Sequence, residues 1–205
     1  LGSKRSIIRE IFEYSKSRAQ EIGADKVYDF SLGNPSVNPP KAIQDAIDDL
    51  NKNANQTLLH GYTSAQGDLG TRKTIANNIN DRFNLSLTEN DIYVTCGAAA
   101  SLSISLKAIC NKGDEVIVFA PYFTEYRVFI ANADATIVES KPMDRSFQID
   151  LDDFKSKITS KTKAVIINSP NNPSGVVNDE KTIQGVADIL KEKSAEFGGA
   201  IYLIA

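Results

Sequence analysis

Histidine occurs once in these 205 residues, as His60, and cysteine twice, as Cys96 and Cys110. A lone histidine cannot build a His-based metal cluster and argues against a Ser-His-Asp triad, so His60 is assigned a structural role. The two cysteines stand in no metal-ligand spacing and are too few for a disulfide framework. Both are expected to be reduced and buried, which points to a cytoplasmic protein. There is no excess of positive charge: 23 Lys and Arg stand against 26 Asp and Glu, a net charge of −3. Broad attraction to nucleic acid or to an anionic membrane is therefore not expected. No apolar run approaches membrane-spanning length, and the start, LGSKRSIIRE, is broken by charge too early for a signal peptide. Neither a GxGxxG fingerprint nor a complete P-loop occurs, Gly70-Thr71-Arg72-Lys73-Thr74 being only a partial look-alike. Internal repeats and low-complexity linkers are also missing.

What is present is an ordinary globular balance, 41% hydrophobic and 24% charged, on a chain long enough to bury a core. Ile7, Ile8, Ile11, Phe12, Ala19 and Ile22 recur at helical spacing, with Gly23 as the stop. An extended segment at 27–32 leads into Gly33-Asn34-Pro35-Ser36. Ala42, Ile43, Ala46, Ile47 and Leu50 predict a second amphipathic helix, and a polar stretch, 51–56, follows it. Residues 68–83 read as a third helix, with Leu69, Ile75, Ile79 and Phe83 inward.

From residue 92 the texture becomes a regular alternation. Strands are predicted at 92–95, 115–119, 135–140, 164–168 and 200–205, and helices at 98–110, 122–132, 151–158 and 179–197. In the last helix Ile183, Val186, Ala187 and Leu190 share one face. Strands alternating with helices mean βαβ units, so the fold class is α/β, a mainly parallel sheet with helices on both faces. The chain stops inside its last strand with no cap after Ala205, and is read as the front part of a longer protein whose sheet is completed later.

Parallel sheets keep their ligands at the carboxyl ends of strands. Three loops expected there are distinctive. Thr95-Cys96-Gly97-Ala98-Ala99-Ala100-Ser101 opens a helix with small residues, which either form a phosphate cup or pack a helix tightly on a strand. Phe119-Ala120-Pro121-Tyr122-Phe123 puts aromatics directly after a strand, as core or as a plate for a flat ring. Ser169-Pro170-Asn171-Asn172-Pro173-Ser174-Gly175 is either a plain turn or a stiff loop that presents the Asn172 amide. Cup, plate and rigid amide together are what a phosphorylated planar cofactor requires. Lys107 and Lys163 read as solvated charges.

The ordered set Gly33-Asn34-Pro35, Gly61-Tyr62, Thr95-Cys96-Gly97, Gly113-Asp114-Glu115-Val116, Pro121-Tyr122-Phe123 and Asn168 to Gly175 resembles the aspartate aminotransferase family of fold-type I enzymes, which use pyridoxal 5′-phosphate (PLP). The resemblance runs from about Ser31 to Ala205. It implies a first region, 1–40, associated with a small domain and the substrate entrance, and a second, 41–205, forming the front of the large cofactor-binding domain. Gly33 matches the residue whose backbone meets the substrate carboxylate. Tyr62 matches the tyrosine that reaches the cofactor phosphate of the neighbouring subunit, which implies a homodimer with shared sites. Ala98 and Ala99 fall where backbone N–H groups hold the phosphate, and Phe123 where an aromatic ring stacks on the pyridine. Asn172 matches the asparagine at the cofactor's phenolic oxygen, beside the substrate.

Two departures matter. Family members often carry a hydroxyl or lysine side chain near Ala99, so the phosphate is left to backbone donors; they often carry tryptophan at the place of Phe123, and phenylalanine there lacks an indole N–H, which leaves a preference for dicarboxylates without support. No catalytic residue is assigned, because the Schiff-base lysine is expected after Ala205. The implied activity is exchange of an amino group between an amino acid and a 2-oxo acid. Three alternatives stay open. One is a PLP-dependent carbon–sulfur lyase or an aminocyclopropane-carboxylate synthase-like enzyme; the second is the effector-sensing domain of a transcription regulator; the third is a relative lacking the lysine.

Overall fold

A computed structural model describes residues 7–33 and 37–205. The charged start and Asn34-Pro35-Ser36 of the expected substrate loop lie outside the described residues. The chain divides into two compact units, Leu1–Ala65 and Gln66–Ala205.

The first unit is helical. α1 (Ile7–Ile22) ends at Gly23, whose φ of 97° suits a residue without a Cβ. A 3-10 turn, Ala24–Lys26, follows. The segment expected to be extended has extended backbone at Val27, but residues 27–32 pair with no strand. α2 (Lys41–Asn53) runs through the first half of the polar stretch 51–56, because Asn and Lys tolerate a helix whose apolar stripe is already set. α3 (Gln56–Leu59) was not foreseen; the Asn55 side chain caps it by accepting from the Thr57 and Leu58 N–H groups.

The second unit opens with α4 (Leu69–Phe83), capped by Asp68, whose carboxylate accepts from the Thr71 N–H and hydroxyl at 2.8 and 3.0 Å. These bonds, the backbone one first, hold the Asp68 carboxyl below its ordinary pKa. The inward face differs from the expected one: Arg72 and Ala76 are buried, while Leu69, Ile75 and Phe83 remain exposed and Ile79 is half-buried. Next come α5 (Ala98–Ile109), β1 (Glu115–Phe119), α6 (Tyr126–Asn132), β2 (Thr136–Ser140), α7 (Leu151–Lys157), β3 (Thr162–Ile166), α8 (Glu180–Phe197) and β4 (Tyr202–Ile204).

The strands form one parallel sheet in the order β2-β1-β3-β4. Alternation along each strand sends residues to two cores. On one face Val116, Val118, Ala164 and Ile166 pack with Leu106 of α5 and with Phe129 and Ile130 of α6. On the other, Ile117, Val165 and Ile167 pack with Phe154 of α7 and with Val186 and Leu190 of α8. The α/β reading with helices on both faces therefore holds.

Several boundaries move, each for a local reason. α6 begins at Tyr126 rather than at residue 122, since 122–125 form a turn after Pro121. In α8, Ala187 is exposed and Ile189 joins the core instead. The largest correction is 92–95, which forms no strand among the described residues. A strand exists only where a neighbour completes its ladder, and the observed order places none of the four strands beside this segment.

Candidate functional site

The first candidate loop enters α5 through Gly97, whose φ of 111° is a conformation that favours glycine. The first intrahelical bond runs from the Ser101 N–H to the Gly97 carbonyl at 3.1 Å, so the N–H groups of Ala98, Ala99 and Ala100 have no partner inside the helix. The Thr95 hydroxyl ties the loop to the first turn, 2.6 Å from Ser101 Oγ and donating to the Gly97 carbonyl at 3.1 Å. Ala98 and Ala99 are exposed. Cys96 is exposed as well, contrary to expectation, because it sits on this loop rather than in a core; Cys110 is half-buried.

The second loop leaves β1 through Pro121. Phe123 is half-buried and packs edge-on against buried Tyr126 at 5.7 Å, while Tyr122 stacks parallel to Tyr126 at 6.3 Å. Tyr122 Oη donates to Glu139 Oε1 at 2.6 Å, and Arg127 bonds the same oxygen. Partial burial, then the Glu139 carboxylate, push the Tyr122 pKa up to about 12.

The third loop is knotted by Asn171, not by Asn172. Asn171 Oδ1 accepts from the Ser174 N–H and hydroxyl at 3.1 and 2.8 Å, its carbonyl accepts from Gly175, and its N–H donates to Val176. Asn172 donates its backbone N–H to Asn168 Oδ1 at 2.7 Å, which leaves its own side-chain amide exposed and unbonded among the described residues. The peptide bonds before Pro170 and Pro173 are cis.

The second and third loops meet, because β1 and β3 are neighbours. Phe119, Tyr122, Asn168, Asn171 and Asn178 line one cleft at the strand ends, where Asn178 Oδ1 is buried without a hydrogen-bond partner. The cleft is small, enclosing about 20 Å³. Leu102, one turn into α5, packs on the same core cluster as Tyr122 and Phe123. Tyr62 and Gly33 belong to the first unit. Tyr62 is fully exposed, and its predecessor Gly61 has room for no Cβ, which would lie 2.9 Å from the Thr57 carbonyl. Gly33 has nothing within 4 Å of an added Cβ.

Other expectations resolve simply. His60 closes α3 with Nε2 3.2 Å from Gln56 Oε1, a structural role. Lys107 is exposed, as expected, where it bonds the Asn132 carbonyl and Asp134, whereas Lys163 lies half-buried over the Tyr202 ring at 5.5 Å and is not simply a solvated charge. No metal-binding group of His, Cys, Asp and Glu, and no helix long and apolar enough to cross a membrane, occurs among the described residues. One residue escaped sequence reasoning. Arg72 lies in the stretch set aside as a P-loop look-alike, and it is 6% exposed. Its position, one turn after the Asp68 cap on a helix with few apolar residues, was the available signal.

The donor set suits a phosphorylated planar group in kind: free helix N–H groups for a dianion, an aromatic face, and an amide donor for an anionic ring oxygen. The fold these loops stand on is that of known enzymes. An aminotransferase from Eubacterium rectale superposes with a TM-score of 0.94 at 48% identity, over 98% of this chain and 51% of that one. The Thermus thermophilus aspartate aminotransferase with maleate does so with a TM-score of 0.81 at 25% identity, over 98% of this chain and 50% of that one. The pattern described as aminotransferase class I and II matches residues 25–195, and the chain belongs to that family. A probable aspartate aminotransferase of Methanocaldococcus jannaschii is 35% identical over 92% of this chain and 47% of its own length. The chain thus spans about half the length of the relatives it matches.

Proposed function

We propose that the complete protein carrying this chain is a PLP-dependent aminotransferase that exchanges an amino group between an amino acid and a 2-oxo acid. The observation that carries this reading is the exposed, unbonded Asn172 amide on a loop whose own bonds are supplied by Asn171, in a chain of this family. When bound, PLP supplies the electron sink that stabilises charge at the substrate Cα. The residues of this chain bind and orient. Ala98 and Ala99 present N–H groups to the phosphate, and the dipole of α5 favours its negative charge. Phe123 offers its face to the ring. Asn172 donates a hydrogen bond to the phenolic oxygen, favouring the anionic form. Gly33 leaves its backbone open to the substrate carboxylate. Tyr62 reaches a second subunit's phosphate, so the working form is a homodimer, and the compartment is the cytoplasm.

The test is transfer. The complete protein with PLP and an amino acid should convert an added 2-oxo acid into its amino acid. Release of ammonia without transfer would refute the reading in favour of lyase chemistry.

A further inference from the structure

The segment 92–95 raises a physical question, because it leads straight into Gly97 and the Ala98–Ala99 end of α5 yet belongs to no strand pair among the described residues. Something else must hold it. Arg72 is the buried group placed to do so. Its Nε donates to the Gly67 carbonyl at 3.2 Å and its Nη1 to the Glu89 carbonyl at 2.6 Å. Glu89 begins the 3-10 turn Glu89–Asp91 that delivers the chain into the segment. Gly67 lies against the segment's middle: a Cβ added there would come within 2.8 Å of Val94 Cβ, and the adjacent Gln66 carbonyl accepts the Val94 N–H at 2.9 Å. One guanidinium therefore bridges the chain just before the segment to the chain running beside it. Arg72 makes no ion pair within 4.0 Å among the described residues, so its buried charge is met at contact by these carbonyl dipoles, with the Asp68 carboxylate one turn earlier interacting from farther off. Burying a charge on such terms is unfavourable unless the geometry is well satisfied. A planar fork can reach both carbonyls, while a lysine ammonium on a flexible stem holds them poorly.

We propose that Arg72 is a positioning residue: it clamps the 92–95 segment and so sets where Ala98 and Ala99 present their N–H groups to a phosphate ester. This rests on the reading of Ala98 and Ala99 as the phosphate site. The clamp acts on the phosphate end alone, which separates it from a general contribution to folding. The experiment compares equilibrium binding of PLP and of pyridoxal, which lacks the phosphate, to the complete protein and to its Arg72→Lys and Arg72→Gln variants, with folding checked by circular dichroism. The expected result is that the preference for PLP over pyridoxal falls at least tenfold in both variants while pyridoxal affinity stays unchanged. An unchanged preference in a folded variant, or an equal fall for both ligands, would overturn the clamp. A wild-type protein with no preference for PLP would overturn the phosphate reading itself, and the clamp with it. Should neither variant fold, hydrogen exchange of the wild-type protein decides. The Val94 amide, bonded to the Gln66 carbonyl, should be protected, and the unpaired Ala98 and Ala99 amides should gain protection only with inorganic phosphate; a Val94 amide that exchanges at the rate of an open loop, or no gain at Ala98 and Ala99, would reject the proposal.

Discussion

The sheet of the second unit and the helices of the first use apolar residues in opposite ways. Val116, Ile117, Val118, Ala164 and Val165 are entirely buried between helices, whereas α1 and α2 leave Ile7 72%, Ile11 50%, Ile43 51% and Ile47 48% exposed. Each region has clear periodicity, so periodicity marks the face that seeks a partner and not the partner itself. Burial contributes roughly 1.5–3 kcal/mol per large apolar side chain. The stability held within this chain is therefore concentrated in Gln66–Ala205, while the faces of α1 and α2 contribute little by themselves.

Substitution can break that comparison. Phe154 is fully buried and packs its ring 5.1 Å from Phe119. Phe154→Ala should cost about 3–5 kcal/mol in denaturant unfolding of the complete protein. Ile43→Ala, on the exposed face of α2, should stay within about 0.5 kcal/mol. A large loss at Ile43 would mean that this face is covered in the complete protein, and the contrast between the two regions would fail.

How much of this was legible follows from the same contrast. The strands 115–119 and 135–140 were readable to within one residue, because short β-branched runs bounded by turn residues have one sensible conformation in a buried parallel sheet. The segment 92–95 has the same texture but no neighbour among the observed strands, and sequence cannot show a missing ladder partner. Exposure misled at Leu69 and Phe83, since an apolar stripe does not reveal whether anything covers it. At the candidate site, the stiffness of the Asn172 loop was readable from its prolines. The division of labour between Asn171 and Asn172 was not, because the two are chemically identical and only the hydrogen bonds distinguish them. Arg72 is passed over because a charged residue is read as solvated until its partners are seen, and its place one turn after the Asp68 cap is a weak signal by itself.

The two asparagines sharpen the comparison between framework and presented group. Asn172→Ala should remove a donor to an anionic oxygen, weakening turnover by about 1.5–3 kcal/mol, roughly ten- to a hundredfold, and raising the pH midpoint of the bound cofactor's visible absorption. Thermal stability should hardly move, as the side chain makes no bond among the described residues. An unchanged midpoint with unchanged kinetics would remove Asn172 from the site. Tyr62→Phe comes next. It should loosen PLP retention by up to about 1.5–3 kcal/mol, the worth of one charge-assisted hydrogen bond. A fully active stable monomer would refute the shared-site reading.

The smallest effect belongs to Tyr122, where the sheet and the aromatic loop meet. Its pKa rises from an ordinary value of 10.0 to about 12, through burial first and the Glu139 carboxylate second. The folded chain thus holds the phenolic proton more tightly than the unfolded chain. Below pH 10 both states are protonated, and the contribution to stability is fully present. Between pH 10 and about 12 the unfolded state releases the proton while the folded state retains it, so the contribution is lost as pH rises. The side chain is only partly buried, so solvent screening keeps the effect modest. Unfolding measured from pH 8 to 12 should therefore show a steeper alkaline fall for the wild type than for Tyr122→Phe, which keeps the ring stacked on Tyr126 but has no proton to lose. Identical alkaline limbs would mean that the Tyr122–Glu139 bond does not survive in solution, and the aromatic loop would then be held by packing alone.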